Sequence, residues 1–193
     1  MQPSELKSGI IYERFQTKTG ATVTFRSPLP TDLDSFLEFE NGLAAEYETD
    51  PNLGIGNHQR MTREAESEWL EKLLKEIEIQ LQIGVVAVLG DKIIGFTRVG
   101  RGRQEDVLHY GVLHISVAKT FRDLGLGYKM IQIALRECKK LGIWLISLEV
   151  FEINFRAIHL YEKFDFKQTG RYPKKVLRAG KLLDTIIMCK ELT

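Results

Sequence analysis

Two glycines, Gly125 and Gly127, stand one residue apart in the stretch RDLGLGYKM, which begins at Arg122. A β-rich run precedes this stretch and an apolar helical pattern follows it, so the glycines lie where a strand gives way to a helix. The first N–H groups of a helix lack intrahelical partners and lie at the positive end of its dipole, where a phosphate or pyrophosphate binds well. Glycines let such an anion approach the backbone, and Arg122 adds a positive charge at the rim. The spacing therefore predicts an anion site.

Two phosphate-binding motifs fit this stretch only in part. A dinucleotide fingerprint needs a third glycine where Met130 stands, so the glycine that packs the helix against the strand is missing. A Walker loop ends in Gly-Lys-Ser/Thr, which the stretch lacks. A plain turn between a strand and a helix is the alternative, because GLG by itself is a short motif.

Three side chains that can move a proton stand in or beside other β-rich runs. Glu149 lies in SLEVF, where a carboxylate among apolar residues needs a specific partner or function. His109 and His114 flank Gly111, and an imidazole with a pKa of about 6.5 is a ready base. Each has a structural alternative. Glu149 could form an ion pair, and the histidines could have a purely structural role with their hydrogen bonds made inside the protein. The residue types alone leave the base open.

Hydrophobic periodicity places these residues on a mixed framework of strands and helices. Two short alternating runs, IIYERFQ and ATVTFRS, predict an N-terminal hairpin at about residues 9–26. Two amphipathic helices follow, separated by the turn-rich segment DPNLGIGNHQR. A hairpin, a long strand through Gly111, the helix after RDLGLG, a strand, a short helix and two final strands complete the order. This order predicts an α/β domain with a mixed sheet and no internal boundary.

Length and composition exclude several classes of protein. The 193 residues suit one well-buried domain, and a formal net charge of +1 argues against nucleic acid as the main partner. The N-terminus lacks the pattern of a secretory signal and no apolar run could cross a bilayer, so we expect a cytoplasmic protein without a membrane partner. Cys138 and Cys189 suit two buried thiols in a reducing compartment, and no cluster of ligating residues predicts a metal site.

Charge is distributed unevenly along the chain. From Asp32 to Glu78 there are thirteen acids and four bases, whereas from Arg98 to Lys140 there are nine bases and four acids. A solvated helix face is one explanation of such asymmetry. The functional explanation is an acidic half that attracts a cationic molecule and a basic half that attracts an anionic one.

Three stretches resemble parts of the GNAT acyltransferase superfamily: two linked motifs and the C-terminal tail. The sequence ISVAKTFRDLGLGYKMIQIAL resembles its acetyl-CoA-binding motif, in which a strand, R/Q-x-x-G-x-G/A and a helix occur together. The tail GRYPKKVLRAGKLLDTIIM resembles the closing hairpin of ribosomal-protein and amino-acid N-acetyltransferases, and the resemblance spans about residues 21–192. The stretch LEVFEINFRAIHLYEKFDF resembles the second family motif, with matches at Asn154, Ala157, Leu160, Tyr161, Phe164 and Phe166.

The resemblance implies a fold and a domain organisation. The fold is α/β (α+β), with a mixed, mostly antiparallel central sheet that is splayed between its fourth and fifth core strands and flanked by helices. One acyl-CoA N-acyltransferase domain would occupy residues 1–193, and the N-terminal hairpin at about residues 9–26 would be an extension of it.

Acetyl-CoA is the implied cosubstrate, with no metal. Its pantetheine arm would run along the strand His114–Val117, and its pyrophosphate would bind the N–H groups of Asp123 to Tyr128. Asp123 departs from the family pattern, since relatives often carry arginine or glycine there, and this departure should weaken the pyrophosphate site slightly. The implied cofactor-binding residues are Ile115, Ser116, Val117, Arg122, Asp123, Leu124, Gly125, Leu126, Gly127, Tyr128, Asn154 and Tyr161.

The resemblance also implies catalytic roles. Tyr161 is the implied general acid beside the CoA sulfur. Glu149 is the implied base, because the matching position in several N-terminal acetyltransferases holds a water-activating residue. His114, His109 or water alone are the alternatives. The backbone N–H near Val117 would polarise the thioester carbonyl, and Asn154 would fix the cofactor or cap the next helix.

The implied function is an N-acetyltransferase that moves an acetyl group from acetyl-CoA to a primary amine by direct attack in a ternary complex. The acceptor would be a protein N-terminus, a lysine, a polyamine or an amino acid, and loops such as PNLGIGNHQR would form its pocket. The acidic half of the chain favours a cationic amine. The alternative is a catalytically silent CoA-binding regulatory or interaction module of the same fold, and the final hairpin could pair two subunits in a homodimer.

Overall fold

The computed structural model describes residues 8–17, 20–47, 49–50, 59–178 and 180–192. Eight strands in this part of the chain form one sheet in the order β1-β2-β3-β4-β5-β6-β8-β7. The strands are β1 (Ile11–Gln16), β2 (Thr22–Arg26), β3 (Gln82–Leu89), β4 (Lys92–Arg101), β5 (Tyr110–Val117), β6 (Leu145–Phe151), β7 (Lys167–Arg178) and β8 (Lys181–Glu191). The α-helices are α1 (Leu33–Tyr47), α2 (Arg63–Glu78), α3 (Leu126–Lys140) and α4 (Phe155–Glu162).

Antiparallel pairing dominates the sheet, because every neighbouring pair of strands is antiparallel except β5 and β6. The predicted mixed, mostly antiparallel sheet flanked by helices is confirmed. The predicted N-terminal hairpin is present as β1 and β2, and β2 joins it to the rest of the sheet by pairing with β3. No helix in the described part of the chain is long and apolar enough to span a membrane.

The sheet carries helices on both faces, and the alternation of β4 shows which residues point to which layer. The Phe96 ring meets Phe36 of α1 and Trp69 of α2 edge to face, with centroids 5.2 and 5.8 Å apart. Gly95 points the other way, where an added Cβ would lie 2.8 Å from Cε of Met130 in α3. We call the side of the sheet to which Phe96 points the α1/α2 face.

Apolar stripes on the helices explain this layering. Thr62 caps α2 by accepting the Ala65 N–H at 3.3 Å, and the helix then buries Leu70, Leu73 and Ile77 at helical spacing. Each such buried side chain contributes about 2 kcal/mol of hydrophobic free energy. The inward stripe of α3 is broader, with buried Met130, Ile131, Ala134, Leu135 and Cys138.

Strand register decides which side chains meet at the centre of the sheet. Arg98 of β4 lies opposite His114 of β5, and both project from the α1/α2 face because they alternate with Phe96. The described pairing of β5 with β6 joins only Tyr110 through Val112 to Leu145 through Ser147. Both strands continue beyond Val112 and Ser147 without pairing to each other. The predicted splay between the fourth and fifth core strands, counted from β2, is therefore confirmed.

Candidate active site

The junction before α3 is open at the position of its N-cap, Gly125. This glycine has φ = 81°, a left-handed conformation that side chains disfavour, and an added Cβ would meet no atom of the described residues within 4 Å. The first helical bond runs from the Lys129 N–H to the Gly125 carbonyl at 3.1 Å. The N–H groups of residues 126–128 therefore have no helical acceptor, and the position that a side chain of residue 125 would take is open.

Gly127 has a different reason to be a glycine. Its added Cβ would lie 3.2 Å from Cδ2 of Leu160 in α4 and 3.7 Å from Cδ1 of Ile115 in β5. The absence of a side chain thus lets α3 approach α4 and β5 closely. Sequence reasoning gave both glycines one purpose, whereas the structure separates open space at Gly125 from close packing at Gly127.

Arg122 is held by the protein itself and does not stand at the rim. Its Nε donates to the Val117 carbonyl at 2.9 Å, and its two terminal nitrogens bind both oxygens of Glu46, with Nη2 to Oε2 at 2.6 Å. Both side chains are mostly buried, at 14% and 7% exposure. Such a bidentate pair fixes the end of β5 against α1. Arg156 of α4 instead pairs with Asp123 in the turn before α3, with Nε 3.1 Å from a carboxylate oxygen.

The splayed part of β5 offers backbone groups to a ligand. The Ala118 N–H donates to Ile94 of β4 at 3.0 Å, so the alternation of the strand turns the backbone groups of Ile115 and Val117 away from β4 and toward β6. The described pairing with β6 has ended before these residues. Arg122 occupies the Val117 carbonyl, which leaves the Val117 N–H and both backbone groups of Ile115 facing the opening. Ser116 points its side chain to the α1/α2 face.

His114 and Glu149 face each other across the start of this opening. Each is two residues beyond the last paired position of its strand, on the α1/α2 face. His114 is an exposed residue. Desolvation by the surrounding protein lowers the pKa of His114, Arg98 lowers it further, and Glu149 acts in the opposite direction. The imidazole is therefore neutral at pH 7 and able to accept a proton.

Glu149 has the ion-paired arrangement that was its structural alternative. Lys175 of β7 donates to both of its carboxylate oxygens, at 2.7 and 2.5 Å, and the Glu149 side chain is 28% exposed. A proton acceptor engaged in this way is less available as the sole base. His109 is farther from the opening, because it precedes the paired end of β5 and stacks on Trp144 with ring centroids 4.4 Å apart. Of the three proposed bases, His114 has the most suitable surroundings.

Tyr161 and Asn154 lie on α4, which packs beside the start of α3. The Tyr161 side chain is 7% exposed and meets Phe166 edge to face at 6.0 Å. Burial raises the pKa of Tyr161 to about 12, so its hydroxyl carries a proton at neutral pH. No hydrogen bond within the described residues engages this hydroxyl. Asn154 caps α4, since its Oδ1 accepts the Ala157 N–H at 3.1 Å.

Ion pairs engage part of the acidic half of the chain. Five of its carboxylates bind a basic side chain, in the pairs Asp32–Arg26, Asp34–Arg63, Glu38–Lys92, Glu46–Arg122 and Glu76–Arg103. Four of these partners come from outside the segment, so they reduce its net charge from −9 to −5 and leave it acidic. Residues 51–58 of the expected acceptor loop, PNLGIGNHQR, lie outside the described residues.

Comparison with known proteins gives one family. Residues 46–166 match the model of the acetyltransferase (GNAT) family, and no curated protein matches the chain. An acetyltransferase of the GNAT family from Streptococcus pneumoniae is 24% identical, with a TM-score of 0.76 over 89% of this chain and 99% of its own.

Two further solved structures share the fold. Ribosomal-protein-alanine N-acetyltransferase from Brucella melitensis is 22% identical, with a TM-score of 0.75 over 87% of this chain and 99% of its own. A GNAT superfamily phosphinothricin acetyltransferase from Sinorhizobium meliloti, solved in complex with acetyl-CoA, is 17% identical, with a TM-score of 0.75 over 88% of both chains.

Proposed function

This chain belongs to the acetyltransferase (GNAT) family, and we propose that it transfers the acetyl group of acetyl-CoA to a primary amine by direct attack in a ternary complex. Family membership makes it an acetyl-CoA-dependent acyltransferase. The observation that carries the proposal for the amine is His114, a neutral imidazole at the mouth of the opening between β5 and β6. An amine must lose a proton to react, and this residue can take it.

Acetyl-CoA fits the glycine-capped junction and the splayed strand. The N–H groups of Leu126, Gly127 and Tyr128, with Asp123 and Leu124 in the turn before them, would hold the pyrophosphate. The room at Gly125 admits the phosphate oxygens. The strand residues Ile115, Ser116 and Val117 would hold the pantetheine arm through their backbone, as an added strand would be held. When bound, acetyl-CoA supplies the activated acetyl group as a thioester.

The side chains around the opening divide the proton transfers between them. His114 accepts the proton of the incoming ammonium, which is needed because an unperturbed lysine amine has a pKa of about 10.4. The Val117 N–H donates to the carbonyl oxygen on which negative charge develops. Tyr161 donates its hydroxyl proton to the departing thiolate, and the second amine proton, which is released as the amide forms, restores the Tyr161 hydroxyl. Asn154 holds α4, and with it Tyr161, in place through its cap.

Replacing Tyr161 by phenylalanine is expected to lower kcat about 100-fold while the Kd for acetyl-CoA stays within twofold, because only the proton donor is lost. The variant should fold, since no described residue bonds to the hydroxyl. Steady-state rates and calorimetric titration with acetyl-CoA measure the two quantities. An unchanged kcat would remove Tyr161 from the acid role.

The function itself is tested by the release of free CoA thiol from acetyl-CoA, with and without a panel of primary amines. We expect amines to accelerate release and acetylated amine to appear in equal amount. Tight binding of acetyl-CoA without amine-dependent release would instead identify the catalytically silent module of the same fold.

Location and assembly are further parts of the proposal. Cys138 and Cys189 are both free thiols, which suits the reducing cytoplasm that we propose for the protein. Strand β7 lies at one edge of the sheet, where its free backbone groups could pair with a second copy of the chain. A homodimer formed through the final hairpin stays a prediction.

A further inference from the structure

Four polar side chains on the α1/α2 face make no hydrogen bond and no ion pair with another described side chain. They are Glu40 of α1, Glu66 of α2, Arg98 of β4 and His114 of β5, and we call them the polar cluster. Glu66 and Glu40 influence each other electrostatically, as do Glu40 and Arg98, and Arg98 and His114. The cluster thus runs from the helices to the proposed base.

Glu66 is the most unusual member of the polar cluster. It occupies the inward stripe of α2, four residues before Leu70, and is 1% exposed. Its Oε1 is buried and has no hydrogen-bond partner in the part of the chain that the structure describes. Burial and the neighbouring Glu40 raise the pKa of Glu66 to about 7. Leaving a buried carboxylate oxygen unpaired is destabilising, and a bound cation would remove that cost.

Arg98 is a half-buried cation that no side chain in the described part of the chain contacts directly as a partner. Among the described residues it makes no hydrogen bond and no ion pair within 4 Å, and its charged neighbours Glu40 and Glu76 act only at longer range. Glu76 is itself bound by Gln82 and Arg103. By contrast, Arg122 is held directly by a carboxylate. A partly desolvated guanidinium in this state is suited to bind a carboxylate in two-point fashion.

Register places this guanidinium beside the reacting amine. Arg98 and His114 are directly opposite on neighbouring strands, where Cβ atoms are about 5 Å apart. An amine at His114 and a carboxylate at Arg98 would then be neighbours, which suits the adjacent charged groups of an α-amino acid. Beyond Arg98 lie the carboxyl groups of Glu40 and Glu66, whose pKa values are raised by burial, so a bound cation would stabilise their charged forms. The ligand that complements this order carries an amine, a carboxylate and a second cation.

We propose that the acceptor is a free amino acid with a basic side chain, whose carboxylate binds Arg98 and whose side-chain cation binds Glu66 beside Glu40. This assignment rests on the proposed function, because it names the acceptor class of the same site. It narrows the acceptor from primary amines in general to free amino acids with a basic side chain. Lysine is the amino acid used to test it.

Three acceptors separate the two contacts. Norleucine has the carboxylate of lysine without its side-chain cation, and cadaverine has both amines of lysine without the carboxylate. We expect the wild-type protein to show kcat/KM for lysine at least tenfold above either one, measured by thiol release at low ionic strength. Equal kcat/KM values for the three would overturn the proposal.

Two variants assign the contacts to residues. Glu66→Gln should abolish the preference for lysine over norleucine and keep the preference for lysine over cadaverine. Arg98→Gln should abolish the preference for lysine over cadaverine and keep the preference for lysine over norleucine. Glu64→Gln, an exposed position on the same helix, is the matched control and should keep both preferences. Each preference is a ratio measured within one variant, so a loss of folded protein cancels. Variants that keep both preferences would overturn the assignment.

The outcomes also distinguish this inference from the proposed function. If a peptide N-terminus or a simple monoamine accelerates thiol release and lysine does not, the inference fails and the amine acetyltransferase stands. If no amine accelerates release, the proposed function itself fails.

Discussion

Replacement of His114 by glutamine is expected to lower kcat/KM for amine acetylation about 100-fold, because the group that takes the proton is removed while a similar volume is kept. The Kd for acetyl-CoA should stay within twofold, since the contacts proposed for the cofactor at this strand are made by the backbone. Initial rates over a range of acceptor concentrations measure the loss.

Two matched variants identify the base among the three proposed residues. Glu149→Gln should cost only a few-fold, because its carboxylate is already bound by Lys175, and His109→Gln should cost nothing measurable, because its ring stacks on Trp144 away from the opening. A large loss with Glu149→Gln and none with His114→Gln would return the base to Glu149.

The pH profile gives an independent check on His114. A base acts in its deprotonated form, so kcat/KM should rise with pH through the pKa of this residue. Desolvation, and then Arg98, lower that pKa, so the acid inflection should lie below the usual histidine value of about 6.5. His114→Gln should remove this inflection, and an inflection that persists in the variant would belong to another group.

Substitution of Gly125 by valine is expected to weaken acetyl-CoA binding at least 100-fold, because the side chain fills the space before the first N–H groups of α3. Gly142→Val is the matched control. Gly142 follows the other end of α3, has φ = 71°, and also has no described atom within 4 Å of an added Cβ.

Both valine variants carry the same backbone strain of about 1–2 kcal/mol, so their loss of unfolding free energy in urea should be similar. Only Gly125→Val should lose acetyl-CoA in a calorimetric titration. Equal affinities for the two variants would show that the junction does not hold the cofactor.

Local sequence signals predicted the frame of this site well. The change of period at RDLGLG and the alternating runs around it depend on neighbouring residues, so strand β5, helix α3 and their glycine-lined junction follow from the sequence alone. The cap at Asn154 also follows, because a capping side chain acts within three residues of its own position.

Contacts between distant residues could not be predicted in the same way. The pair of Arg122 with Glu46 joins positions 76 residues apart, and the pair of Glu149 with Lys175 joins different strands. Each became visible only when the sheet register and the packing of α1 were known. The same holds for Arg98, whose position opposite His114 depends on the pairing of β4 with β5. No local pattern distinguished these partners from solvated charges.

A crystal structure of the protein with acetyl-CoA tests the central claim most directly. We predict the pyrophosphate on the N–H groups of residues 126–128, beside Gly125, and the pantetheine amides paired with Ile115 and Val117 in the opening between β5 and β6. Acetyl-CoA bound at another place, with β5 and β6 paired by backbone hydrogen bonds beyond Val112 and Ser147, would contradict the account.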